Sequence, residues 1–295
     1  MRFFCNTSSC CRPVTFFLML LTVPLISCKQ IPIIRDAVSA HEMDQAAEMG
    51  DTKSQYQLGM RYMSGKGVVE DYAAAAYWFE KAAEAGHVDA QFMWGSALYS
   101  GVGVERDHAE GVRWFLKSAA AGHKRSQYQL GDAYLNGREV EKDRAWGARW
   151  NGMAASQGHK GAQFTMGVLF AKGIGLPRND LEAVTWLRLA EKSGDKLATE
   201  LLAKLREKMT SGQYKSALSR ADRWKPEKNM KGYRNRPTTR YVQYVLGRLG
   251  YNAGYADGIR GEKTDQAIEK YLKTRGVKGD AGNAKVISLL RKESQ

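Results

Sequence analysis

Beyond residue 28 the chain has no cysteine, and beyond residue 159 it has no histidine. All four cysteines, Cys5, Cys10, Cys11 and Cys28, stand near the start. The body of the chain therefore has no disulfide framework, and its C-terminal third can build neither a Cys–His nucleophilic pair nor a histidine zinc cluster. Acidic residues are also scarce beside basic ones, 31 against 45, for a formal charge of +14. That balance is compatible with an anionic wall polymer or a lipid surface without selecting between them. The one long apolar run, Val14 to Ile26, is shorter than the ~20 residues a membrane-spanning helix needs.

What the chain does have is a repeat. Gly50, Gly86, Gly122, Gly158 and Gly194 stand 36 residues apart, and Gly59, Gly95, Gly131 and Gly167 keep the same step. So do Trp78, Trp114, Trp150 and Trp186, and likewise Gly65, Gly101, Gly137 and Gly173. Self-similarity at such a period marks supersecondary units that bury their apolar faces only by stacking. Each unit reads as two helices. Helix A carries Tyr56, Gly59 and Tyr62 or their equivalents at helical spacing, and paired glycines suit its end. Asp71, Asp107, Asp143 and Asn179 then suit the N-cap of helix B, with Glu110 and Glu182 completing capping boxes. Glu139 replaces the second glycine in the third copy, so a differently shaped turn is expected there. The strict phase of the tryptophans predicts a packed seam rather than ligand stacking. Gln55, Gln91, Gln127 and Gln163 recur on helix A and suggest a partner-facing stripe, because solenoids bind along extended surfaces.

The order Ala-x-x-x-Leu-Gly, Gly-x-Gly-Val, Asp, Ala-x-x-Trp, Lys-Ala-Ala, Gly-His resembles the Sel-one-like repeat, a relative of the tetratricopeptide repeat. Residues 89–123 show nearly all of it. The expected fold is all-α, an α/α repeat solenoid over 50–193, followed by capping helices over 194–224 and a small three-helix domain. Thr210 and Gln213 read as a capping box opening the last capping helix, which should end near Trp224.

At the start, Arg2 and Arg12 and the apolar run read as a secretory signal over 1–28. Leu25-Ile26-Ser27-Cys28 resembles the lipobox of bacterial lipoproteins. The resemblance implies cleavage before Cys28 and its acylation, hence a membrane anchor. Lys29 in place of Asp implies, by the enterobacterial sorting rule, export to the outer membrane. Residues 29–49 are then a tether and an N-terminal capping helix.

Lys225 to Pro237 reads as a basic linker, either a solvated connector or a strip that touches anionic polymer or lipid head groups. In 238–295, Val242, Val245, Leu246 and Leu249 give one helical face. A glycine-rich loop leads to Thr264, the expected N-cap of a second helix with Ala267, Ile268, Tyr271 and Leu272 inward, and a third helix begins near Asn283. The string Val242-Gln243, Leu249-Gly250-Tyr251, Asp257-Gly258, Gly261, Thr264, Ala267-Ile268 is similar to the peptidoglycan-binding domain appended to wall hydrolases. It departs at Leu272, where that family has Gln, and at Gly279 to Gly282. Most of the motif reads as turn and cap architecture. The residues suited to a glycan or stem peptide are Tyr255, with a ring face, and Arg260, with a carboxylate partner.

His87, His123 and His159 read as turn residues, and one repeat apart they stand ~10 Å or more from each other, too far to share a metal. No catalytic residue, cofactor or metal site is expected. The sequence thus predicts a non-enzymatic, lipid-anchored envelope scaffold facing the periplasm. Its expected partners are peptidoglycan, the membrane through its acyl group and an unidentified protein, with no nucleic acid. The alternatives are a regulatory or secreted interaction protein without wall binding, and an accessory subunit of a peptidoglycan hydrolase.

Overall fold

The structure, a computed structural model, describes residues 42–227, 236–277 and 283–294. The apolar leader, Cys28, the tether, most of the 225–237 linker and Gly279 to Gly282 lie outside the described residues. Among the described residues all regular structure is helical. After a helical segment over 42–48, the A helices are α1 (Thr52–Ser64), α3 (Val88–Ser100), α5 (Lys124–Asn136) and α7 (Lys160–Lys172). They alternate with B helices α2 (Tyr72–Glu84), α4 (His108–Ala120), α6 (Arg144–Ser156) and α8 (Asp180–Lys192). Then come α9 (Lys196–Arg206) and α10 (Ser211–Arg223), which both pack on α8. The chain ends with α11 (Arg236–Arg248), α12 (Glu262–Thr274) and α13 (Asn283–Ser294).

The caps follow the sequence. Gly65, Gly101, Gly137 and Gly173 end the A helices in the left-handed conformation. Asp71, Asp107, Asp143 and Asn179 accept backbone N–H bonds at the B-helix starts. Thr210 and Gln213 form their capping box. The other two expected boxes do not close, because the carboxylates are drawn elsewhere: Glu110 pairs with Arg113, and Glu182 accepts from Trp186 Nε1 and Arg220. The expected difference at the third turn is also absent. Glu139 adopts φ +55°, in the same left-handed region as Gly103 at +75° and Gly175 at +70°. Stacking dictates that turn, and the repeat forces a side chain into a conformation that costs an L-residue about 1 kcal/mol.

Within a repeat the two helices approach closely. A Cβ on Gly95 would stand 3.0 Å from the Gly111 carbonyl oxygen, and one on Gly111 would stand 2.9 Å from that of Gly95. Trp114, Trp150 and Trp186 are buried and Trp78 is half-buried, as a packed seam requires.

The last three helices form a small module around Val245, Leu246, Tyr271, Val286 and Leu290. Arg275 of α12 pairs with Glu293 of α13, which also accepts from the Tyr271 hydroxyl at 3.1 Å. Burial and then this carboxylate push the Tyr271 phenol up to about 12. Thr264 is not the N-cap of α12. The helix opens two residues earlier after Gly261, and Thr264 is buried within it, donating to the Ala253 carbonyl.

This module does not stand clear of the solenoid. Helix α11 lies on α6, and their side chains belong to one apolar cluster. Every residue of α6 from Ala145 to Ser156 is buried in consequence, whereas α2 and α4 keep an outward face.

Candidate functional site

Three surfaces bear on function: the glutamine ladder, the seam between α6 and the module, and the glycine-rich loop between α11 and α12. The ladder turns inward. Gln55, Gln127 and Gln163 are buried and Gln91 is half-buried. Their amide nitrogens donate to the carbonyls of Ala47, Ala83, Ala119 and Ala155 at 3.1, 3.3, 3.1 and 3.4 Å for Gln55, Gln91, Gln127 and Gln163. Those carbonyls belong to the last turn of the preceding helical segment, where the helix's own bonds run out. The glutamines are braces between units. The expectation of a partner-facing stripe is therefore corrected: a buried amide must spend its donors inside the fold.

The recurrent histidines have an equally definite place. His87, His123 and His159 are N-caps of α3, α5 and α7, each with Nδ1 accepting a backbone N–H at 3.2 Å. Their rings lie on Tyr56, Phe92 and Tyr128, with centroids 4.6, 4.7 and 4.5 Å apart. Burial lowers the His123 pKa to about 4, against the opposing pull of Asp89, and burial with Lys124 and Arg125 lowers that of His159. Both act as neutral acceptors.

The seam is the part that sequence reading missed. Arg149, 3% exposed, lies between the rings of Trp146 and Trp150 at 4.4 and 4.5 Å, and its Nε donates to Thr238 Oγ1 at 2.9 Å. Tyr241 meets Trp146 edge-on at 5.0 Å. From α13, Arg291 donates to the Tyr134 hydroxyl at 2.6 Å and lies over the rings of Tyr134 and Trp146. Gly152 lets Pro237 approach: a Cβ there would stand 3.0 Å from the proline Cβ. A signal was present in the repeat itself. Where the other units have Ala74, Glu110 and Glu182, the third has Trp146, and where they have Glu80, Leu116 and Arg188 it has Gly152.

The loop is pinned from below. Gln243 is buried, donates from Nε2 to the Ile259 carbonyl and Thr264 Oγ1, and accepts the Gly258 N–H at 2.9 Å. Arg240 donates to the carbonyls of Ala256 and Asp257 at 3.1 and 3.0 Å while its guanidinium lies 4.9 Å from the Phe170 ring. Most of the quoted motif is thus framework. Of the two residues named for binding, Tyr255 is 91% exposed and Arg260 is partly exposed in a pair with Asp265. Cys28 lies outside the described residues.

Comparisons with known proteins agree with this architecture. The model of the Sel1 repeat matches residues 52–87, 88–123, 124–159 and 161–195. A Sel1 repeat protein from Oxalobacter formigenes is 34% identical, with 58% of this chain and 50% of that one covered and a TM-score of 0.54. A protective antigen of uropathogenic Escherichia coli strains with an SLR fold is 30% identical, with 85% of this chain and 49% of that one covered and a TM-score of 0.54. The chain thus spans about half the length of these solved relatives. No curated protein matches it. Residues 52–195 are four Sel1 repeats, stacked as an all-helical solenoid.

Proposed function

We propose that the protein is a non-enzymatic, lipid-anchored scaffold of the bacterial envelope, with a solenoid that binds a protein and a C-terminal module that binds peptidoglycan. The observation that carries the wall-binding reading is the loop above α11. Gln243 and Arg240 hold its backbone rigid while Tyr255 stands almost wholly in solvent beside Ile259 and Arg260. A pinned loop with an exposed ring suits a sugar face, since the backbone that carries the ring is ordered before the ligand arrives. Arg260 can exchange Asp265 for a stem-peptide carboxylate. The anchor rests on the likeness of residues 25–28 to a lipobox.

Protein binding is supported by the repeats themselves and falls to their open end. Tyr77 of α2, at the repeat position of Arg149, is 51% exposed. That face is covered by the module in the third repeat and bare in the first.

Truncation before the module would uncover Trp146 and Arg149, so wall binding is tested on the full chain. Tyr255→Ala/Arg260→Ala should lose retention on purified sacculi while keeping its helical content and melting point. Retention equal to that of the unaltered protein refutes wall binding through this loop. For the anchor, Cys28→Ser should abolish acyl labelling and release the protein from membranes; undiminished membrane association of that variant would count against it.

A further inference from the structure

A second concave surface of the molecule is strongly basic. Where α6, α8 and α10 meet the start of α11 there is a cleft of about 290 Å³. Its lining includes Arg220, Arg223, Lys225, Arg236 and Arg240, against only Glu182 and Glu227. Glu182 is already engaged, accepting from Arg220 at 2.7 Å and from Trp186 Nε1 at 3.1 Å, with Arg240 at 3.9 Å. Arg223, Lys225 and Arg236 are exposed, and among the described residues no carboxylate forms an ion pair with them. Like charges so arranged repel one another in a partly dry site. At Arg240 burial holds the pKa below the usual guanidinium value; Glu182 opposes this, and Arg236 and Arg220 add smaller depressions. One wall is apolar, made of Trp186 with Trp224 edge-on at 6.3 Å, together with Met166 and Pro237.

We propose that this cleft binds a small oxyanion with more than one charge, bearing carboxylate or phosphate groups on an apolar body that lies against Trp224. Forked guanidiniums on two separate helices, α10 and α11, suit oxyanion geometry, and the volume admits a ligand of small-metabolite or short-peptide size. Because Arg223 and Arg236 come from the solenoid end and the module respectively, a bound anion also ties the two together.

The test is calorimetric titration of the full-length protein with citrate and, separately, with pyrophosphate, at matched ionic strength. Saturable one-site binding is expected for at least one probe, and the probe preferred tells carboxylate from phosphate ligands. Arg223→Gln/Arg236→Gln should weaken it by about tenfold or more, the usual effect of losing charge-assisted hydrogen bonds. Both side chains are exposed, so this variant should melt like the parent without anion. Removing two charges elsewhere, by Lys263→Gln/Lys273→Gln, should leave the affinity unchanged. Glu227→Gln should strengthen it. Absence of saturation with both probes, or equal weakening by the two double variants, overturns the proposal and leaves only a general charge effect.

Discussion

Replacing Gly152 with arginine should detach the C-terminal module while leaving the repeat that carries it intact. The equivalent position of the fourth repeat is Arg188, a partly exposed residue paired with Glu191, so the repeat tolerates that side chain. The seam does not, because even a Cβ at residue 152 would stand 3.0 and 3.2 Å from Pro237 Cβ and Cγ. Seating a full arginine requires the start of α11 to move away. The Tyr241 ring then loses its burial, about 2 kcal/mol, and its edge contact with Trp146, about 1 kcal/mol. The bond from Arg149 to Thr238 goes as well, about 1.5–3 kcal/mol, although rehydration of the buried guanidinium returns part of this. The docking should weaken by about 3 kcal/mol, which is roughly a hundredfold in the population of the undocked form. Hydrogen exchange reads this directly: amides of α11 should exchange about a hundredfold faster, while those of α1 to α4 keep their rates. Thermal unfolding should separate into two transitions. If α11 stays protected and the protein still melts once, the seam is not what holds the module.

Low pH should destabilise the solenoid through its histidine caps. The folded-state pKa values of His123 and His159 lie below the ordinary 6.5, at about 4 for His123, so the stabilisation from these two caps is complete above pH 6.5 and is lost as pH falls through them. His159→Asp should flatten part of that decline, since Asp195 makes the same cap one unit later and Lys124 and Arg125 favour a carboxylate there; a melting-point profile from pH 7 to 4 checks it, and an unchanged slope would exclude the caps as its cause. Glu139→Gly should raise stability by about 0.5 kcal/mol, relief of the left-handed backbone being partly offset by the freer unfolded chain; denaturant unfolding that shows a loss would mean that the glutamate side chain holds the turn. Gln127→Leu should destabilise by about 1–3 kcal/mol, because it strands the Ala119 carbonyl and leaves the Gln157 amide with only the Gly122 carbonyl to donate to; an unaltered melting point would return the glutamines to the surface role that the structure denies them.

The helical repeat was legible because its signals are local. Glycine at a left-handed C-cap, aspartate at an N-cap and tryptophan at fixed phase each act within a turn or two of themselves, and the four copies repeat the message. The errors arose where another partner competed for the same side chain. Glu110 and Glu182 have the spacing of capping boxes, yet the structure gives them to Arg113 and to Arg220 and Trp186. Thr264 has the chemistry of a cap, but Gln243 and the Ala253 carbonyl draw its hydroxyl into the loop network. The glutamines recur as a binding stripe would, and periodicity alone cannot tell which side of a helix faces the next unit. Their spacing from the preceding helix end held the answer, since each stands eight residues after the carbonyl it braces.

The seam teaches the converse lesson, that in a repeat the informative residues are the departures. A unit that only stacks on its neighbours needs polar residues on the outer face of helix B, and α2 and α4 have Glu80, Lys81, Glu110 and Arg113 there. The third unit replaces the charges at those positions with Gly152, Met153 and Trp146, keeping Arg149 alone, and each change removes a barrier to an apolar neighbour. A helix made apolar all round must be covered. The face of α11 that carries Pro237 and Tyr241 supplies the cover from the same chain. Intramolecular cover has a consequence for binding. The third repeat is occupied by its own module, so a protein partner that uses this face of the B helices must either meet it where it is bare, as on α2 around Tyr77, or displace α11 against the full strength of the seam.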